Sequence, residues 1–335
     1  MNRREFLGRS SAAAVMPMAA ACSGSDTEIV SDLPTSSFDD VPTAEEVTAG
    51  IDLTGKVAVV TGCNSGLGLE TMRVLALRGA HVFGTGRTME RASEACSSVE
   101  GRATPLVLEL SDLQSCVDCA AALSAQTPVI DMLICNAGIV AGNDLQVVNG
   151  VEQTIAINHV GHFVFVNHLL DQIRAAAQGR VVMVSSAAAY GSLPEGGIDF
   201  DNLDGSKGYS TFEFYSVSKL ANALFALELA QRFTGTRATA NSIHPGNVRT
   251  NIGRNMGGFM RMMMAAAQTV AGRDVAEGAA TQCYVATSPA LSEVSGYYFE
   301  DCNPVLVPGS YLYDRDLAQR HWQVTEDLTA DDLRT

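Results

Sequence analysis

Tyr215 and Lys219 stand four residues apart in a chain whose only lysines are Lys56, Lys207 and Lys219. In 335 residues, 8 tyrosines and those 3 lysines would give about 0.07 such pairs by chance, so even this short spacing is informative. In a helix the two side chains share one face, one turn apart. A free phenol ionises near pH ~10, too high to trade a proton readily at neutral pH. A neighbouring ammonium stabilises the phenolate and lowers that value, so the pair could act as general acid and base between an alcohol and its carbonyl. A surface i,i+4 pair is the plain alternative.

A second group is Thr61-Gly62-Cys63-Asn64-Ser65-Gly66-Leu67-Gly68. Its glycines allow a tight turn and let a pyrophosphate approach, and they leave a helix N-terminus free to bind phosphate. An ordinary strand-to-helix turn would read similarly, but this one falls at the first such junction. About 20 residues beyond such a turn an acid usually holds the ribose 2′-hydroxyl of NAD. Here Gly84-Thr85-Gly86-Arg87 has no carboxylate, and Arg87 is placed to pair with a 2′-phosphate, with Gly86 leaving room. NADP(H) is therefore the expected dinucleotide, ahead of NAD(H).

These groups need a frame. Runs 57–61, 80–85, 104–108, 132–135, 180–185 and 239–243, with a last one near 297–299, are short and rich in Val, Ile and Leu, as buried parallel strands are. Helical stretches alternate with them, for example 67–78, 111–123 and 214–233. The pattern predicts an α/β doubly wound parallel sheet (the Rossmann arrangement) in a single domain, about 51–328. Ser185 and Ser186 end the fifth strand at the carboxyl edge, where such sheets build their sites. By alternation they point opposite ways, and either could orient a substrate oxygen. Asn158 is a poor helix former within a helical stretch.

The chain carries 37 acidic against 22 basic residues, a net charge of −15. That balance argues against nucleic acid as a partner. Its eight cysteines include no paired CxxC units, and Cys116 and Cys119 simply share a helix face, so no metal site is read. Residues 1–21, with Arg3-Arg4 before a weakly apolar stretch and Ala19-Ala20-Ala21 before Cys22, read as a Tat-type signal peptide. Export to the periplasm follows as an expectation, with membrane attachment through a lipidated Cys22 as a variant and a cytoplasmic location if the segment is no signal. Residues 22–50 contain no basic residue and read as a solvated acidic tether. Within it Thr43-Ala44-Glu45-Glu46 has capping-box spacing, which predicts a short helix.

The glycine turn, Asn136-Ala137-Gly138 and Tyr215-Ser216-Val217-Ser218-Lys219 together resemble the short-chain dehydrogenase/reductases. The likeness runs from Asp52 to Leu328. It is nearest the branch of retinol dehydrogenases and the WW-domain oxidoreductase, through Asn158-His159-Val160-Gly161-His162-Phe163, Ser218-Lys219-Leu220-Ala221-Asn222 and His244-Pro245-Gly246, with Ser295–Phe299 and His321-Trp322 near the end. The resemblance implies a catalytic group of Tyr215, Lys219, Ser186 (rather than Ser185) and Asn158. Asn158 would sit at a backbone distortion and hold a water that relays protons to Lys219. A bound oxidised nicotinamide would further lower the phenol, and Lys219 would hold its ribose. The implied cofactor contacts are Gly62, Asn64, Ser65, Gly66, Leu67, Gly68, Arg87, Leu110, Asn136, Ala137, Gly138, Tyr215, Lys219, Pro245, Gly246, Val248 and Thr250. Where the family usually has Asp after the third strand this chain has Glu109, which puts that contact in doubt.

Substrate signals are thinner. Five of the 12 methionines fall within residues 256–264, suiting an adaptable apolar lid near 255–271 over a lipophilic aldehyde, ketone or alcohol. A helix packed on the domain or a membrane-contacting patch would look the same. The 28 residues between Ser186 and Tyr215 are an insertion placed to form the pocket rim. Two other functions compete. A non-catalytic NADP-binding scaffold predicts a damaged catalytic group, which is not seen. A nucleotide-sugar epimerase or dehydratase predicts a TGxxGxxG turn and a larger C-terminal part. A homo-oligomer is compatible with the sequence.

Overall fold

The computed structural model describes residues 27–38, 40–248 and 272–334. The leader with Cys22, Thr250 and the methionine-rich 255–271 lie outside the described residues.

In chain order, β1 (Glu28–Ile29) and α1 (Ala44–Val47) precede β2 (Val57–Val60), α2 (Gly66–Leu77), β3 (His81–Gly86), α3 (Met89–Ser97), β4 (Arg102–Val107), α4 (Leu113–Ser124) and β5 (Met132–Cys135). A small hairpin, β6 (Val147–Val148) with β7 (Val151–Glu152), leads into α5 (Gln153–Ile155), a π-helical turn Ala156–Val160, α6 (Gly161–Asn167), α7 (Leu170–Ala175) and β8 (Arg180–Val184). Then come α8 (Thr211–Arg232), β9 (Thr239–His244), α9 (Val275–Gly278), α10 (Ala280–Thr287), β10 (Tyr298–Glu300), β11 (Asn303–Leu306) and α11 (Arg315–Leu328).

The main sheet runs β4-β3-β2-β5-β8-β9-β10-β11-β1. The first seven strands are parallel, and β11 and β1 are antiparallel additions at one edge. Order reverses at β2, since β3 and β4 lie to one side and β5 to the other, so a crevice opens beyond the carboxyl ends of β2 and β5. The strands are apolar on both faces because both are covered. Val59 and Leu133 join the core under α4, α6, α8 and α11, while Ala58, Val60, Met132 and Ile134 join the core under α1, α2, α3 and α10. The doubly wound parallel sheet expected from the sequence is the fold observed.

The stretch read as a solvated tether touches the domain where β1 pairs with β11 and where Ser36 donates to Asn303, and its side chains between are largely exposed. Thr43 and Glu46 form the reciprocal capping box, and Ala44 and Val47 are buried. Arg73 pairs with Glu45 at 2.6 Å, and Arg78 donates to the Glu45 carbonyl at 2.8 Å. This stretch thus supplies a carboxylate to Arg73 and a backbone carbonyl to Arg78.

Candidate active site

The glycine turn follows β2 with Gly62 at φ 73° and Gly66 at φ 60°, conformations that glycine adopts without strain. A Cβ on Gly62 would stand 2.9 Å from the Cβ of Ala137, and one on Gly68 would stand 2.5 Å from Asn136 Nδ2. The turn is therefore locked against the Asn136–Gly138 loop after β5. Thr61 does the locking: its buried hydroxyl accepts from the amides of Asn136 (3.0 Å) and Ala137 (2.9 Å), and its carbonyl accepts from Asn136 Nδ2 (2.8 Å).

A cavity of about 320 Å³ opens in the crevice. Gly62, Asn64, Ser65, Gly66, Leu67, Arg87, Leu110, Asn136, Ala137 and Gly138, all named above as cofactor contacts, are among the residues that line it. Gly68 lies beneath, buried in the turn. Ser65, the N-cap of α2, makes no capping bond with its side chain, which leaves the first amides of a 12-residue helix for an incoming anion. Arg87 is exposed at the rim and enters none of the ion pairs among the described residues. Glu109 also lines the cavity, but its carboxylate accepts from the amide (3.1 Å) and hydroxyl (2.8 Å) of Ser111. The turn, the open helix end and the free guanidinium together fit a dinucleotide.

Pro245 and Gly246 follow β9 directly. Gly246, at φ 82°, is covered by the Arg273 guanidinium, 2.6 Å from where a Cβ would be. Arg273 is held in turn by both oxygens of Asp301. Val248 bridges to Arg273 through the backbone and, with Leu67, packs on Gly278.

The four expected catalytic residues come from three elements. Tyr215 and Lys219 sit in the first turns of α8, with the Lys219 ammonium 5.7 Å from the centre of the Tyr215 ring and 3.1 Å from the Val184 carbonyl. Ser186 caps the 3₁₀ turn Ala187–Tyr190 after β8, accepting from the Ala188 amide at 3.2 Å, and its hydroxyl is near enough to the Tyr215 phenol to favour the phenolate. Ser185 points the other way and donates to the Lys219 carbonyl at 2.7 Å, a structural role. Asn158 lies inside the π-helical turn, the distortion expected there. Its amide group donates to the Ile139 carbonyl (2.9 Å) and to Ser218 Oγ (3.0 Å), and its Oδ1 accepts from the Ile139 amide (2.7 Å). Asn158 Oδ1 and Lys219 Nζ both reach the open side of Gly138.

Burial dominates the electrostatics. It pushes the Lys219 ammonium down to about 8. It also pushes the Tyr215 phenol up, and the nearby Ser186 hydroxyl offsets only part of that. The expectation of a phenol lowered by its lysine neighbour is thus corrected for the protein alone. The ammonium is directed at the Val184 carbonyl, and the desolvation of the ring outweighs its influence.

Several residues at the site escaped the sequence reading. Ile139, Ile157 and Val275 line the cavity, and Ile157 owes its place to the π-helical turn. Only proximity in sequence to predicted residues could have signalled the first two. The insertion after Ser186 turns toward α11 as well as toward the site. Phe200 lies under the Arg320 guanidinium at 4.5 Å, and Tyr311 Oη accepts from the Gly196 amide at 3.1 Å. At its far end, Tyr209 and Thr211 both donate to the Gly142 carbonyl, at 2.8 and 3.0 Å, and so hold the loop after β5.

These features define a class. The model of the short chain dehydrogenase family matches residues 56–197. The chain is 36% identical over 305 residues to the short-chain dehydrogenase TIC 32 A, chloroplastic, of Brassica napus, covering 88% of this chain and 94% of that one. It is 36% identical over 286 residues to human retinol dehydrogenase 11 (84% and 88% covered). It is 35% identical over 306 residues to the human WW domain-containing oxidoreductase (88% and 73%). Among solved structures, an uncharacterized protein from Mycobacterium Paratuberculosis superposes with a TM-score of 0.68 at 30% identity, covering 85% of this chain and 97% of that one. A Beutenbergia cavernae dehydrogenase with bound NADP at low occupancy gives 0.58 at 25% identity (75% and 96%). The chain belongs to the short-chain dehydrogenase/reductase family. It is an oxidoreductase of that family, whose members transfer hydride with NAD(P).

Proposed function

We propose that this protein interconverts a lipophilic alcohol and its aldehyde or ketone, with NADP(H) preferred over NAD(H). The observation that carries the reading is that Asn158 and Lys219, the latter one helical turn from Tyr215, reach Gly138 in the wall of the crevice cavity, whose rim holds an Arg87 that enters no ion pair among the described residues. When bound, the dinucleotide supplies or accepts the hydride.

The protein's own groups handle the proton and the oxygen. Tyr215 Oη donates a proton to the forming alkoxide or takes one from an alcohol. The Ser186 hydroxyl holds the substrate oxygen next to that phenol and stabilises charge developing on it. Lys219, charged below about 8, stabilises the phenolate left on Tyr215. Asn158 fixes the loop that carries Gly138 and so holds the inner wall of the cavity in register with Lys219. The apolar character of the substrate is supported by the methionines of 256–264 and by the likeness to a retinol dehydrogenase.

The proposal extends to location. A twin-arginine leader exports folded proteins, so the dinucleotide could be loaded in the cytoplasm, carried across and recycled in place by coupled oxidation and reduction. Export is checked by fractionating cells and by Arg3→Lys/Arg4→Lys, which should hold the protein back. Substrate and cofactor are tested by following NADPH and NADH consumption over retinal-like, aliphatic, steroid and sugar carbonyls. Turnover of an apolar carbonyl with NADPH is the expected result. Consumption with sugars alone, or equal use of NADH, would overturn the substrate or cofactor assignment respectively.

A further inference from the structure

The buried imidazole of His162 touches the two halves of the site at once. Its Nε2 lies 2.9 Å from the hydroxyl of Thr61, just ahead of the glycine turn, and its Nδ1 lies 3.0 Å from the carbonyl oxygen of Asn158. Thr61 and His162 are 101 residues apart in sequence. The direction of these bonds follows from counting protons. The Thr61 hydroxyl already accepts from the amides of Asn136 and Ala137, which uses both its lone pairs, and it keeps one hydrogen to give. That hydrogen goes to Nε2, so the ring carries its own proton on Nδ1 and donates it to the Asn158 carbonyl. A charged ring would aim a second donor at a hydroxyl with no lone pair left. Burial and the nearby Lys219 also disfavour that charge.

From Asn158 the path continues. The Asn158 side chain donates to Ser218 Oγ at 3.0 Å, and Ser218 donates to the Tyr215 carbonyl at 2.7 Å. We infer that His162 is a positioning residue that ties the nucleotide-binding turn to Asn158 and, through Ser218, to the helix bearing Tyr215. Seating the dinucleotide and aligning the proton-handling groups are then one linked event. This role rests on the dinucleotide-dependent activity proposed above.

Two variants separate bridging from packing. Glutamine offers an acceptor oxygen and a donor nitrogen on one planar group and can span Thr61 and Asn158. Phenylalanine fills the ring's volume but makes neither bond. For His162→Gln, NADPH affinity (by nucleotide fluorescence) and kcat should stay within about threefold of wild type. For His162→Phe, both should fall about tenfold, the worth of one buried hydrogen bond. If His162 merely packs, the order reverses and the phenylalanine variant performs as well as wild type or better than the glutamine one, which overturns the inference. Long-range ¹H–¹⁵N NMR of the wild type gives a readout that does not depend on activity or on a variant folding. A neutral ring protonated on Nδ1 supports the bridge, and one protonated on Nε2 refutes it. Wild type that binds neither NADPH nor NADH would take down the proposed function and this role with it, even where NMR found the bridge itself in place.

Discussion

The side chain of Asn158 holds the backbone of Ile139 from both directions, accepting from its amide at 2.7 Å and donating to its carbonyl at 2.9 Å. A planar amide can do both at once because it presents a donor and an acceptor side by side. The π-helical turn Ala156–Val160 aims Asn158 at that loop, so the helix distortion and the loop's position are parts of one device.

Asn158→Ala removes both bonds, and the one to Ser218, and leaves part-buried backbone groups of Ile139 without these partners. The expected loss is about 1–3 kcal/mol of stability, read from denaturant melts, together with a fall in turnover. Asn158→Asp keeps the acceptor and loses the donor, so it should fall between wild type and alanine. A variant as stable and active as wild type would show that the clamp does not matter.

Tyr215→Phe takes away the phenolic oxygen and little else. Turnover should drop by about 10²–10⁴-fold, the usual worth of a positioned acid–base group, with NADPH affinity within about twofold of wild type. Retained turnover would refute the assignment of the proton to this residue.

Lys219 gives a pH signature with a definite sign. Its ammonium is held at about 8 in the folded protein and returns to the ordinary lysine value on unfolding. Between these values the unfolded chain binds more protons, so this residue makes the fold more stable as pH rises from about 8 and less stable as pH falls through it. Lys219→Met removes the buried charge. The variant should therefore be more stable than wild type near pH 7, by roughly 3 kcal/mol at most, and inactive, with the stability gap closing above pH ~10. A gap that is constant with pH would contradict the assignment.

Arg87→Ala should weaken NADPH binding by about 10–100-fold, the worth of a charge-assisted hydrogen bond to a phosphate, and leave NADH binding nearly unchanged. Equal losses for the two dinucleotides would mean that Arg87 does not read the 2′-phosphate.

Much of this frame could be read from residue order because buried parallel strands need unbroken apolar runs, and β2, β5 and β8 are such runs. The capping box at Thr43 announced α1 for the same local reason. What escaped depends on contacts between distant residues. β11 contains Pro304 and is defined by its partner β10, and β1 is two residues paired to Val305 and Leu306. The π-helical turn has no period of its own, and only the misplaced polarity of Asn158 hinted at it. That Ser186 lies by the Tyr215 phenol while Ser185 bonds the Lys219 backbone was half legible: alternation separates the two, but only the fold shows which one reaches the site. The bond between Thr61 and His162 leaves no mark in either segment.

The position of β1 bears on how the enzyme would meet its surroundings. It forms the outermost strand on one side of a nine-strand sheet, and the strands that frame Arg87 and Leu110 form the opposite side. At about 4.8 Å between neighbouring strands, eight intervals separate these margins by roughly 38 Å. Anything fastened ahead of Glu28, whether a lipid at Cys22 or a longer leader, would hold the protein by its far flank. The residues expected to meet the adenosine portion would lie at the margin opposite the point of attachment, so tethering and cofactor exchange need not obstruct each other.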